Sequence, residues 1–242
     1  MRRQTADGSF TAYSEIFDEH YHSVKDGALK ETLYKHIYPA FKLTPKKESY
    51  KILDICFGLG FNSLCAANEA KKRGVKVEII SPEMDEALVA SLASFPYPDE
   101  LGADKMISGI SKRGYYEDET VKIKVIFGDA REIIRKLDCG FDIVFQDAFS
   151  PKKNPTLWTY EYFCDLKKIL HSDGVITTYS TATPVRLGMY EAGFNVYKYD
   201  SGVVREGSIA SVSDIENLEK IDMLQKQIRA PEAKALKDNE VL

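Results

Sequence analysis

The stretch Lys51–Asn62, KILDICFGLGFN, constrains the fold more than any other part of the sequence. Ile52, Leu53 and Ile55 form an apolar run with little alternation, as in a strand that is buried on both faces. Two glycines follow at once, and a long helical pattern follows them. A strand, a glycine-rich turn and a helix in this order allow backbone N–H groups to approach a bound ligand closely. The sequence therefore predicts a ligand site at this turn.

The residues around the turn favour one nucleoside cofactor over another. Gly58 and Gly60 match the first two glycines of a GxGxxG dinucleotide fingerprint, but Ser63 stands where the third glycine is expected. Asp54 lies inside the strand, which departs from the plain NAD pattern and suggests S-adenosylmethionine, whose amino-acid end carries an ammonium group. The residues expected to contact this cofactor here are Asp54, Phe57, Gly58, Gly60 and Asn62.

Strand and helix patterns alternate from residue 51 onward, which predicts a mostly parallel sheet with right-handed crossovers. Predicted strands cover residues 51–56, 75–80, 121–127, 141–146, 175–179, 194–199 and 208–212. Predicted helices cover residues 61–73, 85–92, 130–137, 157–170 and 183–192. The last two strands have only a short connection, so they must pair antiparallel. The expected fold class is α/β and Rossmann-like, with an antiparallel C-terminal strand.

Three regions flank or interrupt this alternation. Residues 1–50 carry interspersed aromatic side chains and a helical pattern over 27–41, so we expect a helical or irregular segment that packs on the core. Residues 51–213 form the expected main domain, with an insertion or lid at about 95–120. Residues 214–242 are charged and helix-prone to about 228, which predicts a docked surface helix followed by a loose tail.

Charge and cysteine content narrow the classes of function. The formal net charge of −4 over 242 residues does not by itself indicate a nucleic-acid partner. No apolar run reaches the ~18 residues of a membrane span, and no apolar secretory segment follows the N-terminal arginines. The cysteines, at 56, 65, 139 and 164, form no CxxC pair, which predicts reduced thiols and no bound metal. We therefore expect a cytoplasmic protein.

Acidic residues follow several predicted strands, at the edge where ligands of open α/β sheets bind. Glu83 lies 23 residues after Gly60, where an acid typically accepts hydrogen bonds from the ribose hydroxyls of NAD or S-adenosylmethionine alike. Asp129 and Ala130 are suited to the exocyclic amine and ring nitrogen of adenine, although Asp129 also fits a helix N-cap. Asp147 follows the next strand. Together these strand ends predict one nucleoside site.

The segment Asp147–Trp158, DAFSPKKNPTLW, is the most specific motif in the chain. It resembles the signature of the MnmC-type methyltransferase domain, a family of bacterial tRNA wobble-uridine methyltransferases. Further stretches are similar to that family in the same order, namely TAYSEIFDEHYHS (11–23), GALKET (27–32), FGLGFN (57–62), FGDARE (127–132) and GVITTYSTATPVRLGMYEAGF (174–194). The likeness runs from about residue 5 to 212, so it covers most of the chain.

The resemblance implies a class I methyltransferase that uses S-adenosylmethionine and acts on tRNA. The implied reaction methylates the amine of 5-aminomethyl-(2-thio)uridine at the wobble position, giving the 5-methylaminomethyl form. Tyr21 and Glu31 lie in the matched N-terminal stretch and are expected to cover the methionine end of the cofactor, and Arg205 is a candidate for tRNA binding. Many relatives also carry a C-terminal FAD-dependent oxidase domain. Only about thirty residues follow the likeness here, so that second activity is not predicted.

Asp147 is the expected catalytic residue. The substrate alkylamine has a pKa of ~10, so at neutral pH it is mostly protonated and has no lone pair with which to attack a methyl group. A carboxylate at the edge of the sheet can attract the ammonium form and then hold the neutral amine in line. Aspartate is too weak a base to hold that proton in water, so orientation and recruitment outweigh deprotonation.

The side chains that follow Asp147 are candidate substrate contacts, and each also has a purely structural interpretation. Phe149 could stack on the uracil or pack in the core. Lys152, Lys153 and Asn154 could contact phosphates or remain in a solvated loop. Trp158 fits either a substrate contact or helix packing.

Other functions stay open on the sequence alone. An aminopropyltransferase or a small-molecule amine methyltransferase would use the same fold, and the acidic net charge allows it. An NAD-binding oxidoreductase is disfavoured by the missing third glycine. A non-catalytic RNA-binding relative is disfavoured by the intact Asp147.

Overall fold

A twisted sheet of eight strands crosses the centre of the protein, whose computed structural model describes residues 2–241. The strands, in chain order, are β1 (Arg2–Gln4), β2 (Phe10–Ser14), β3 (Glu19–His20), β4 (Ser49–Ile55), β5 (Lys76–Glu83), β6 (Tyr115–Glu117), β7 (Val121–Phe127), β8 (Phe141–Gln146), β9 (Leu170–Thr178), β10 (Asn195–Tyr199) and β11 (Gly207–Ser211). The order in the large sheet is β10–β11–β9–β8–β4–β5–β7–β6. The strands from β9 to β7 pair in parallel, whereas β6 and β11 run antiparallel to their neighbours.

Helices cover both faces of this sheet. They are α1 (Ala28–Thr32), α2 (Tyr38–Leu43), α3 (Phe61–Arg73), α4 (Glu86–Ser91), α5 (Asp104–Arg113), α6 (Ala130–Ile134), α7 (Tyr160–Ile169), α8 (Thr183–Glu191), α9 (Met223–Arg229) and α10 (Asp238–Val241). A π-helical turn, Leu33–Ile37, joins α1 to α2. Successive residues of β4 enter different hydrophobic clusters, Ile52 on one face and Leu53 on the other. The strand is therefore buried on both faces, as its unbroken apolar run predicts.

Helix α3 begins and ends next to glycines with left-handed backbone conformations. Gly60 precedes the helix with a φ of 79°, and Gly74 follows it with a φ of 66°. A Cβ atom at position 60 would lie 2.8 Å from the ring of Phe57, so this tight turn requires glycine. The turn brings the start of α3 directly onto the end of β4.

The predicted alternation of strands and helices over residues 51–213 is confirmed, including the antiparallel pairing of the last two strands. The segment 95–120, for which the sequence predicts an insertion or lid, packs against the rest of the domain. Its helix α5 packs on the core through Met106, Ile107 and Ile110, and its strand β6 extends the edge of the sheet. The charged residues on the outer face of α5 make its sequence resemble a loop, so the amphipathic helix was not predicted.

The N-terminal region contains strands where the sequence predicts a helical or irregular segment. Strands β1, β2 and β3 form a separate antiparallel sheet, and the predicted helix follows as α1, the π-helical turn and α2. Strands of two to five residues that are partly exposed carry too short a pattern to be recognised.

The C-terminal region is docked beyond α9, where the sequence predicts a loose tail. Both side-chain oxygens of Asp238 accept hydrogen bonds from the guanidinium of Arg131, at 2.6 Å each. Thr159 donates a further hydrogen bond to Asp238 at 2.7 Å. This segment therefore braces α6 and the start of α7.

Candidate active site

The carboxyl ends of four neighbouring parallel strands meet at one large cavity. Strands β8, β4, β5 and β7 lie side by side in this order, so the residues that follow them share one edge of the sheet. The cavity has a volume of about 1070 Å³ and is covered on its outer side by residues 14–25. Ligand pockets typically enclose about 300–1,000 Å³, so this one has room for a nucleoside cofactor and a second reacting group.

Most of the predicted site residues line this cavity. Those at its wall are Tyr21, Glu31, Gly58, Glu83, Asp129, Ala130, Asp147, Phe149, Asn154 and Arg205. The predicted residues that do not line it are Asp54, Phe57, Gly60, Asn62, Lys152, Lys153 and Trp158. The members of this second group therefore do not face the cavity directly.

Glu83 is held against the glycine turn by backbone hydrogen bonds. Its Oε2 accepts from the N–H of Gly58, and its Oε1 accepts from the N–H groups of Met84 and Asp85, all at 2.8 Å. Burial raises the pKa of Glu83 above its ordinary value, although these three donors act in the opposite direction. A carboxylate fixed at this position leaves lone pairs directed at the cavity, where ribose hydroxyls could donate to it.

Asp129 caps α6 with one of its two carboxylate oxygens. Its Oδ1 accepts from the N–H groups of Arg131 and Glu132, at 2.8 and 3.1 Å. Both of these bonds use Oδ1, so Oδ2 remains available at the cavity wall beside Ala130. The N-cap role and a ligand-binding role are therefore compatible in this geometry.

Asp54 and Asp147 are joined by the side-chain amide of Asn62. The Nδ2 of Asn62 donates to Oδ2 of Asp147 at 2.9 Å and lies 3.3 Å from Oδ1 of Asp54. Asp54 has no exposed surface and also accepts from Ser63 Oγ at 2.6 Å. Asp54 is thus separated from the cavity by Asn62, so it supports the site from behind instead of facing a cofactor.

Asp54 should make the folded state less stable as the pH rises. Burial is the largest cause that raises the pKa of Asp54 from 3.8 to about 7. The folded protein therefore holds this proton more tightly than the unfolded chain. The resulting stability is fully present below the unfolded pKa and is lost as the pH rises through about 7.

We expect Asp54→Asn to remove that pH-dependent loss. The unfolding free energy of the variant minus that of the wild type should grow by at least ~1 kcal/mol between pH 5 and pH 8. Urea unfolding followed by circular dichroism at both pH values measures this difference. A difference that stays constant would contradict a buried, protonatable Asp54.

Asp147 reaches the cavity with a side chain that is 17% exposed. Its Oδ1 lies 3.5 Å from Nε2 of His36, a residue that the sequence analysis missed. Burial alone would raise the pKa of Asp147, but His36, His22 and the hydrogen bond from Asn62 outweigh it and lower the pKa below the ordinary value. The carboxylate is therefore held in its ionised form at the wall of the cavity.

Residues of the β2–β3 hairpin cover the loop that follows β8. The ring of Phe17 stacks on Phe149 at 4.4 Å, and the ring of Tyr21 lies 5.0 Å from Phe149. Glu19 accepts a hydrogen bond from the backbone N–H of Ser150 at 2.9 Å. Burial, followed by the nearby charge of Glu83, raises the pKa of Tyr21 to about 12, so its hydroxyl stays protonated. The hairpin thus forms the outer wall of the cavity, with Phe149 between it and the sheet.

Cationic side chains near the cavity mouth are partly paired. Arg205 is 70% exposed and donates from Nε to Asp26 at 2.8 Å, and Lys153 contacts Asp18 at 2.7 Å. Lys152 is exposed on the same loop as Lys153.

Glu31 lies at the inner wall of the cavity. Its carboxylate accepts hydrogen bonds from Lys35 Nζ at 2.8 Å and from the N–H of Ser23.

Trp158 lies in the core and supports the loop instead of facing the cavity. It is fully buried and donates from Nε1 to the carbonyl oxygen of Phe149 at 2.8 Å. Its ring edge packs on Tyr179, whose hydroxyl donates to the carbonyl of Ala148. The structure therefore favours the packing interpretation of Trp158 over a direct substrate contact.

Cys56 lines the cavity, whereas its sequence pattern predicts no more than a reduced thiol. It follows β4 directly and has a φ of 65°, a left-handed conformation that is strained for a residue other than glycine. Such strain often occurs at functional sites. Cys56 stands immediately before the glycine turn, and this position in the sequence could have indicated that it lines the cavity.

The residues present fit S-adenosylmethionine. Gly58 has a φ of 53°, and an added Cβ atom would lie 3.1 Å from the ring of Tyr21, so glycine is favoured at this turn. Asn62 Oδ1 is buried without a hydrogen-bond partner in residues 2–241.

Within residues 2–241, no group of three or more His, Cys, Asp or Glu side chains is placed to hold a metal ion. None of the helices in the described part of the chain combines the length and the apolar character needed to span a membrane.

Comparisons with known proteins identify the family. A family model described as S-adenosyl-L-methionine-dependent methyltransferase matches residues 104–212. The crystal structure of MnmC2 from Aquifex aeolicus superposes with a TM-score of 0.83 at 31% identity, covering 99% of this chain and 79% of that one. An uncharacterised protein from Methanocaldococcus jannaschii is 34% identical over 82% of this chain.

The curated relatives are longer than this chain. The chain spans 55% of the Methanocaldococcus protein. It spans 32% of the tRNA 5-methylaminomethyl-2-thiouridine biosynthesis bifunctional protein MnmC from Azoarcus sp., to which it is 32% identical over 78% of its own length. The match favours S-adenosylmethionine over NAD as the cofactor, and the predicted Rossmann-like α/β fold is confirmed. The chain belongs to the MnmC-type family of S-adenosyl-L-methionine-dependent methyltransferases.

Proposed function

We propose that this methyltransferase methylates the amine of 5-aminomethyl-(2-thio)uridine at the wobble position of tRNA. The observation that carries the proposal is Asp147, an ionised carboxylate at the end of β8, facing a cavity large enough for cofactor and substrate together. A negative charge at this point attracts an ammonium group and orients the amine that it becomes. S-adenosylmethionine, when bound, supplies an electrophilic methyl group, and its sulfur keeps the electron pair of the broken C–S bond.

The chain's own residues divide the remaining work. Glu83 and Asp129 lie at the ends of neighbouring strands and line the cavity, which supports roles in binding the ribose and the adenine of the cofactor. Asp147 attracts and aims the amine, and the β2–β3 hairpin excludes water from the reaction by closing over Phe149. Exclusion of water strengthens the interaction between the Asp147 carboxylate and the substrate ammonium.

The tRNA substrate is supported by the relatives and by the rim of the cavity. The Azoarcus relative is named for tRNA 5-methylaminomethyl-2-thiouridine biosynthesis. Arg3, Lys25 and Arg205 line the cavity, and Lys152 and Lys153 lie on the adjoining loop. Cations around a cavity that holds one extruded nucleoside would contact the flanking phosphates.

Nucleoside analysis tests the proposal. The substrate is tRNA that carries 5-aminomethyl-(2-thio)uridine, whose amine is not yet methylated. This tRNA is incubated with the protein and methyl-labelled S-adenosylmethionine, and the nucleosides are separated after digestion. We expect label only in the 5-methylaminomethyl product, and binding of tRNA in a filter assay should weaken steeply with salt. Transfer of label to a small-molecule amine, with none to tRNA, would contradict the proposal.

A further inference from the structure

A buried histidine stands behind the proposed catalytic carboxylate. His36 has no exposed surface, its Nε2 lies 3.5 Å from Asp147 Oδ1, and its Nδ1 lies 2.9 Å from Thr177 Oγ1. Among residues 2–241, Nε2 has no hydrogen-bond partner, so this nitrogen faces Asp147 without being satisfied by another group. Buried polar atoms left in this state are uncommon and call for an explanation.

The local backbone places His36 at this point. His36 lies in the π-helical turn Leu33–Ile37, which interrupts the helix between α1 and α2. Such turns are rare and occur frequently at functional sites. The ring packs edge-on against Phe145 of β8 at 5.9 Å, so its plane is fixed relative to Asp147.

We propose that His36, acting through Asp147, takes up the proton that the substrate amine must lose before methyl transfer. This inference rests on the proposed function. The need for an acceptor follows from the chemistry, because an alkylammonium has no lone pair and aspartate alone is a weak base. Imidazole is the side chain that most readily accepts a proton near neutral pH.

The proton balance of the step is closed within these residues. The substrate ammonium gives one proton to the Asp147 carboxylate, which passes it to Nε2 of His36 while Thr177 accepts the hydrogen bond from Nδ1–H. The amine lone pair then forms the new C–N bond to the methyl group that S-adenosylmethionine would supply, the electron pair of the broken C–S bond would stay on sulfur, and the product leaves as a secondary ammonium. The proton on His36 returns through Asp147 to water after the product has left.

The surroundings of His36 support a single proton route. The titratable groups that act on this cluster are Asp147, Asp54 and His22, with Glu31 paired to Lys35 on the same helical segment. Asp54 is occupied by Ser63 and Asn62, and Thr177 and Phe145 do not titrate near neutral pH. His22 and Glu31 also line the cavity, but the Asp147 carboxylate, whose Oδ1 lies 3.5 Å from Nε2 of His36, is the wall group that contacts His36.

Two variants separate proton uptake from packing. His36→Phe preserves an aromatic ring, and His36→Gln preserves a hydrogen-bond donor but cannot accept a proton at this pH. Both should lower kcat by ~10-fold or more at pH 7 with little change in KM for tRNA. The deficit should shrink as the pH rises towards 9.5, since a growing fraction of the amine is then already neutral. The exposed His171→Phe serves as a matched control and should behave as the wild type.

A second readout needs neither cofactor nor tRNA. Imidazole ¹⁵N shifts of the protein alone report which ring nitrogen carries a proton. We expect Asp147→Asn to move the Nε2 signal of His36 and Thr177→Val to move the Nδ1 signal. If the His36 signals move in neither variant, the proposed contact between His36 and Asp147 is overturned. This result does not depend on tRNA methylation, so it is distinct from a failure of the proposed function.

The kinetic outcomes also decide the proposal. A deficit that is the same at pH 7 and pH 9.5 would mean that His36 acts through packing alone. Full activity in His36→Gln would mean that it only orients Asp147. Thermal unfolding and S-adenosylmethionine affinity, measured for each variant, show that the compared proteins are folded.

Discussion

Asp147→Asn is expected to keep cofactor affinity within a few-fold of the wild type and to lower turnover by about 10²–10⁴-fold, the usual range for loss of a positioned acid–base group. The neutral amide is nearly isosteric, but it neither attracts an ammonium group nor holds a negative charge beside His36. Isothermal titration with S-adenosylmethionine and single-turnover methylation of tRNA measure the two quantities separately.

The control for this variant is Asp138→Asn, which removes the same charge from an exposed position. It should leave both affinity and turnover unchanged. Turnover of Asp147→Asn within about threefold of the wild type would show that the carboxylate is not required for transfer.

Glu83→Ala is expected to weaken S-adenosylmethionine binding by roughly 1–3 kcal/mol, the range for removing a charged hydrogen-bond partner. The loss has two sources. The ribose hydroxyls lose their acceptor, and the N–H groups of Gly58, Met84 and Asp85 lose the side chain that fixes the turn. Isothermal titration measures the affinity, and a thermal-shift series with increasing cofactor gives an independent value.

Glu119→Ala provides the matched control, because Glu119 is an exposed glutamate away from the carboxyl-end cavity. Its cofactor affinity should equal that of the wild type. If Glu83→Ala also binds with unchanged affinity, Glu83 does not take part in holding the cofactor.

The main architecture was predictable because local patterns and long-range packing agree. The run from Ile52 to Ile55 has to be buried on both faces, and Gly60 and Gly74 mark the two ends of α3. The acids at neighbouring strand ends were predictable for the same reason, since parallel strands bring their carboxyl ends to one edge. Glu83, Asp129 and Asp147 accordingly share one cavity.

The residues that support the cavity wall from behind could not be predicted, because their positions depend on contacts between distant segments of the chain. Nothing in the sequence near His36 indicates that a π-helical turn will direct its ring at a residue more than a hundred positions later. The position of Asp54 behind Asn62, and not at the cavity wall, also follows from side-chain geometry that no pattern records. The burial of Trp158 depends in the same way on how the loop after β8 folds back on the core.

The contact between Glu19 and Ser150 spans 131 positions of the chain, and it has a consequence for biosynthesis. The hairpin leaves the ribosome early, yet the partner that it covers is made only after four further strands of the parallel sheet, β4, β5, β7 and β8. Until then its aromatic side chains, Phe17 among them, lack the Phe149 surface on which they pack. Contacts of such high sequence separation form slowly and late. We therefore expect the nascent protein to acquire its cofactor pocket only near the end of translation, which leaves the hairpin as the segment most open to proteolysis before that point.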